Sequence, residues 1–141
     1  SKRSVRITRD LAEQLISADP TGLESTASGL VSDTFREMRT NLLHPVVIVD
    51  YLREAYLHPA EEVRITFDMQ LRSGLNSVDM FNPYLPTVPP FDHDEIILEV
   101  KYNQVLPPYI ANLLTYALRD GACRSAISKY VYCRRFEFKD F

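Results

Sequence analysis

Glycine is scarce in this chain, with four among 141 residues. No glycine-rich loop is present, which excludes the backbone-amide phosphate cradle of P-loop and dinucleotide-binding folds. Cysteine is scarcer still, limited to Cys123 and Cys133. Neither has a histidine at metal-ligand spacing. A reduced pair in a cytoplasmic protein is expected rather than a disulfide framework. The three histidines, His44, His58 and His93, each sit beside a proline or an aspartate in loop-like stretches. No Ser/His/Asp arrangement goes with them. No apolar run approaches the ~20 residues of a membrane-spanning helix, and no signal-peptide pattern is visible at the start. Lysine is also sparse, four residues against twelve arginines. The net charge of −3 argues against general nucleic-acid binding. The arginine excess favours fixed, bidentate phosphate contacts.

What is there fits one soluble domain: 45% hydrophobic and 25% charged residues, with no repeats and no low-complexity tract. The alternation in residues 2–7 predicts a short strand. Thr8 reads as an N-cap, with Asp10 in the first turn of a helix through about Ser17. A second helix is predicted over Gly29–Thr40, with Val31 and Phe35 on its apolar face. The β-branched run that opens Pro45–Leu57 predicts a strand, and Glu62–Arg72 a second, joined to it as an antiparallel hairpin. Period-2 alternation there predicts Val63, Ile65 and Phe67 buried and Arg64, Thr66 and Asp68 on an opposite, polar face. Residues 73–94, rich in proline, predict a long covering loop. A third strand is predicted over Glu95–Tyr102. A helix should start at Pro107-Pro108 and end near Gly121 as its C′ residue, with Ile110, Leu113, Leu114, Ala117 and Leu118 as its stripe. The tail Ser125–Phe138 fits a helix through about Arg134, though Tyr130, Tyr132, Phe136 and Phe138 also alternate like a strand.

The chemistry-bearing residues gather on these strands. In Leu98-Glu99-Val100-Lys101, Glu99 and Lys101 share a face. A carboxylate offers hard oxygens to a divalent cation, and a lysine neutralises phosphate. Arg53 lies on the first strand and Arg64 on the second. One sheet would place two arginines, a lysine and an acid on a common surface suited to a polyphosphorylated ligand. The plainer reading is cross-strand ion pairing, Arg64 with Glu99 for example, worth about 0.2–1 kcal/mol per pair. Ser128-Lys129 adds a hydroxyl and a cation, or merely a solvent lysine. The late aromatics could imitate a nucleic-acid stacking platform, though core aromatics explain them equally.

The segments PVVIVDYLREAY, EVRITFDMQL, ILEVKYNQVLPPYIANLL and SAISKYVYCRRF, in this order, resemble the VTC (vacuolar transporter chaperone) domain. That is the polyphosphate-polymerase domain of the triphosphate tunnel metalloenzymes, or CYTH-like proteins. The resemblance covers essentially the whole chain, as the C-terminal half of such a domain. It implies an α+β fold, an antiparallel sheet forming about half of a triphosphate-tunnel β-barrel with flanking helices. It implies transfer of the ATP γ-phosphate to polyphosphate, with Mn²⁺ or Mg²⁺ as cofactor. By resemblance Arg53, Arg64 and Lys129 bind phosphate, Lys101 and Lys2 join them, and Glu99 holds the metal. No catalytic residue is singled out.

The family's upstream strands, one alternating glutamate and lysine and one alternating arginines, have no counterpart here. The chain alone is therefore expected to be inactive and to self-associate through open strand edges. ATP or another nucleoside triphosphate and polyphosphate are the expected ligands. A non-catalytic module that binds polyphosphate, inositol phosphates or nucleotides stays open beside the polymerase, as does a triphosphate hydrolase.

Overall fold

The computed structural model describes residues 3–18, 29–58, 62–91 and 95–137. They fall into two compact units, Ser1–Val46 and Val47–Phe141.

The first unit is a helix pair. Helix α1, Arg9–Ile16, starts where the Thr8 side chain accepts a hydrogen bond from the Leu11 amide at 3.3 Å. Asp10 in its first turn complements the positive end of the helix dipole. Helix α2 spans Gly29–Thr40, the predicted range. Val31 and Phe35, four apart and so on one helix face, are buried and pack with Leu11 and Leu15 of α1. The strand predicted over residues 2–7 is not found among described residues 3–7, and residue 2 lies outside them. A strand exists only against a partner, and none pairs here. Val5 and Ile7 remain exposed, while Arg3 bonds to Asp33 of α2 at 3.2 Å.

The second unit is built on an antiparallel three-stranded sheet in the order β1-β2-β3. Strand β1 is Val49–His58, β2 is Val63–Ser73 and β3 is Ile97–Lys101. Strand β1 begins four residues later than its β-branched run suggested. Its partner β2 ends at Ser73, and the Ile48 carbonyl accepts from the Gly74 amide at 2.9 Å instead. A Cβ at Gly74 would stand 3.0 Å from the Ile48 Cβ, so a larger residue there would push Ile48 back by a few tenths of an ångström.

The simple alternation expected of β2 fails at a bulge. Asp50 pairs with Arg72 but Leu52 pairs with Met69, so β2 carries one extra residue there. Gln70, at φ 52°, takes the left-handed conformation. Before the bulge Val63, Thr66 and Asp68 are buried; after it Leu71 and Ser73 are. On one face the strand therefore presents Thr66 and Asp68 at one end and the apolar Leu71 at the other.

The expected burial is corrected accordingly. Thr66 and Asp68 are buried, Val63 is buried as expected, and Ile65 and Phe67 are only half-buried. The reason is helix α4, Lys129–Glu137, which packs on the Thr66/Asp68 face. Its Cys133 forms a small core with Leu71 and Ile97, flanked by Val49, Tyr51, Phe91 and Tyr132. On the other face of β1, Leu52 and Tyr56 stay exposed.

Residues 74–91 return to the sheet end. Ser73 and Val88 exchange two backbone hydrogen bonds at 2.7 and 3.0 Å, and Arg72 donates to the Thr87 hydroxyl at 2.6 Å. Phe91 then packs against Tyr132, the rings tilted by 58° with centroids 4.8 Å apart. Helix α3, Pro108–Arg119, opens with proline in its first turn and closes with Gly121 at φ 103°. The Ala122 amide donates back to the Ala117 carbonyl at 3.1 Å, a Schellman-type cap. Of its expected stripe Ile110 is buried, but Leu113 and Leu118 are exposed.

Candidate functional site

The hairpin register decides what meets what. Directly opposed residues of an antiparallel pair project to the same face. Arg53, Asp68 and Ile97 form one row; Ala55, Thr66 and Glu99 the next; Leu57, Arg64 and Lys101 the third. Arg53, Arg64, Glu99 and Lys101 thus share the sheet face that carries α4.

Asp68 is the centre of this face. Arg53 grips its carboxylate with two parallel bonds, Nε to Oδ1 at 2.5 Å and Nη2 to Oδ2 at 2.7 Å. Lys129, in the first turn of α4, places Nζ 2.6 Å from the same Oδ2. Both cations lie 5.1 Å from the centroid of the Tyr51 ring, within cation–π range. The side chain of Asp68 is 1% exposed, against 32% for Arg53 and 21% for Lys129. The acid is therefore the floor and the cations its solvent-facing cover. The Arg53 hydrogen bonds hold the Asp68 carboxyl down at about 2, with Lys129 reinforcing them against the opposing effect of burial. The same bonds raise the Arg53 guanidinium further above its ordinary value.

A step along the sheet, Glu99 pairs with Lys101 at 3.0 Å. The Arg64–Glu99 pair considered from sequence is not formed, because the register sets Arg64 opposite Lys101. Arg64 is exposed and makes no ion pair among the described residues. Opposite Glu99 stands Thr66, buried, with a hydroxyl that has no hydrogen-bond partner. Lys2 and His93 lie outside the described residues. No group of three or more His, Cys, Asp or Glu side chains suited to a metal exists among those described.

Sequence reasoning missed Asp68, Tyr51 and Thr66. Asp68 was visible as a polar-face residue with no stated task. Folding the hairpin about its tip puts 53 opposite 68, and that register was the available signal. Lys129 is no solvent lysine, since it turns inward onto Asp68. Of the tail aromatics with described side chains, Tyr130 is exposed and Tyr132 is not. Tyr132 packs on Phe91 on the core side of a helix.

Among the described residues no helix is long and apolar enough to cross a membrane. No curated protein and no solved structure matches the chain. The family model of the VTC domain matches residues 1–138. That is nearly the whole sequence, and the CYTH-like placement agrees with it. A chain with these paired strands and this cationic face, matched over that length, belongs to the VTC domain family, which relates it to polyphosphate polymerases.

Proposed function

We propose that the Arg53–Asp68–Lys129 face binds condensed phosphate, as one wall of a tunnel in which ATP gives its γ-phosphate to polyphosphate. The observation that carries this reading is the convergence of Arg53 and Lys129 from different elements, on the face that also bears Arg64 and Lys101. A buried acid satisfies part of each cation's charge and leaves outward donors for an anion. Arg64, exposed and without an ion pair among the described residues, is open to an arriving polyphosphate.

In such a site the protein positions the phosphates and neutralises charge in the transferring group. Arg53, Lys129, Arg64 and Lys101 would hold phosphate oxygens. Glu99 would hold a divalent cation once Lys101 turns to the anion. A single protein carboxylate fits Mg²⁺ or Mn²⁺ when substrate phosphates supply further ligands. Bound there, the metal would neutralise charge on the transferring phosphoryl group.

The open sheet favours a second reading, binding without turnover. Three strands clamp a polyanion from one side, and positioning for transfer needs the opposite wall. In the full-length protein, calorimetric titration with tripolyphosphate in chelator, followed by an ATP-to-polyphosphate assay in Mn²⁺, separates the two. Binding without product supports the binding module, and product supports the polymerase. Absence of binding at millimolar tripolyphosphate rejects both.

A further inference from the structure

A carboxylate at the centre of a phosphate site is unexpected, because it repels the ligand. It has two possible roles. Either it is an internal stand-in for phosphate that must leave when the ligand arrives, or it is a fixture that stays. On the reading of this face as a phosphate site, we propose that Asp68 is a positioning residue, remaining on Arg53 and Lys129 while they hold the anion and turning their free donors outward.

Depth argues first. Asp68 lies beneath both cations, closed in by α4 and the sheet. A ligand arriving from solvent reaches the part-exposed cations before the buried acid.

Donor geometry argues second. An arginine carries five N–H groups and an ammonium three. Asp68 takes the Nε edge and one Nη2 hydrogen of Arg53 and one contact from Lys129. The other edge of the guanidinium and the remaining ammonium hydrogens are left for a ligand.

Repulsion argues third. Arg53 Nη2 and Lys129 Nζ sit within hydrogen-bond reach of one oxygen, so they are close neighbours of like charge. Without the acid between them Lys129 would swing into solvent on its flexible stem. Reassembling the pair would then have to be driven by ligand binding.

Positioning and simple charge predict opposite signs. Asp68→Asn makes the face more positive by one unit, so a purely electrostatic site would bind tripolyphosphate more tightly. A positioned site binds it more weakly. Asp68→Glu keeps the charge and shifts the carboxylate by one methylene. It leaves an electrostatic site unchanged and weakens a positioned one.

The deciding measurement uses the unsubstituted chain. Scalar couplings across the hydrogen bonds, from Arg53 Nε and Lys129 Nζ to the Asp68 carboxyl carbon, are recorded by NMR before and after saturation with tripolyphosphate in chelator. We expect both nitrogen resonances to move while the couplings persist. Each substitution that retains the wild-type circular dichroism spectrum should weaken binding about tenfold or more. Loss of the couplings at saturation, or tighter binding by Asp68→Asn, overturns the positioning role and leaves the phosphate site standing. Resonances that do not move at millimolar tripolyphosphate reject the phosphate site itself, and the positioning role with it. The NMR readout holds even where both substitutions unfold the chain.

Discussion

Arg53 and Lys129 meet on a single oxygen. The β1 guanidinium and the α4 ammonium both bond to Oδ2 of Asp68, at 2.7 and 2.6 Å. One buried acid thus ties a strand hairpin to a helix and fixes the spacing of two cations.

The first prediction concerns stability. Asp68→Ala removes the acid and leaves two part-buried cations facing each other. Breaking one side of a buried ion pair costs about 3–5 kcal/mol. A shift of that order in the urea unfolding midpoint is expected. A shift within ~0.5 kcal/mol, the size of a neutral surface change, would show the triad to be ornamental to the fold.

The second concerns pH. The folded Asp68 carboxyl is held at about 2, below its ordinary 3.8. A depressed acid stabilises the fold fully above the unfolded value and ceases to do so as pH falls through the folded one. Stability should therefore decline between about pH 4 and pH 2, measured as denaturant midpoints by circular dichroism. Asp68→Asn should flatten this part of the profile. An equally steep fall in that variant assigns the acid sensitivity to other carboxylates.

The third separates Glu99 from Arg64. Arg64→Ala should weaken tripolyphosphate binding in chelator by about 1.5 kcal/mol, the low end for a charged hydrogen bond because Arg64 is exposed. Glu99→Gln should leave that binding nearly unchanged and reduce the added affinity gained with Mn²⁺. Parallel behaviour of the two variants in both buffers would remove the division of roles.

The fourth concerns Thr66. Its hydroxyl is buried without a partner, and an unmade buried hydrogen bond costs about 1–3 kcal/mol. Thr66→Val replaces that hydroxyl with a methyl of similar shape and should hold or raise the melting temperature. A clear fall would mean that the hydroxyl is bonded in solution.

The fifth concerns assembly. Among the described strands β1 and β3 each pair only with β2, so both outer edges are open. Open edges recruit strands, and light scattering should show mass rising with concentration. A constant monomer mass across the series refutes it.

Local chemistry made much of this legible. Thr8, Pro108 and Gly121 mark helix ends by their own capping and dihedral preferences, and the structure uses them so. Val31 and Phe35 announce a helix face by spacing alone. The shared face of Arg53, Arg64, Glu99 and Lys101 follows from strand parity once the register is known. Tertiary effects were not legible. Nothing in MQLRS marks the bulge at Gln70, which reverses the parity of β2. Which sheet face α4 covers depends on Lys129 and Cys133 reaching Asp68 and Leu71 across the chain. Strand parity gave Asp68 a polar face and could not reveal that a helix would bury it.

The triad also has a timetable. Arg53 and Asp68 face each other within one hairpin, fifteen residues apart, a contact that short-range closure makes early. Lys129 approaches from a helix that follows the hairpin, the long loop and β3 in the chain. A nascent or partly unfolded chain can hold the arginine–aspartate pair, neutral overall, long before the lysine docks. Only docking of α4 gives the cluster its net positive charge. The cluster's net positive charge is therefore a property of the packed chain and not of the hairpin alone.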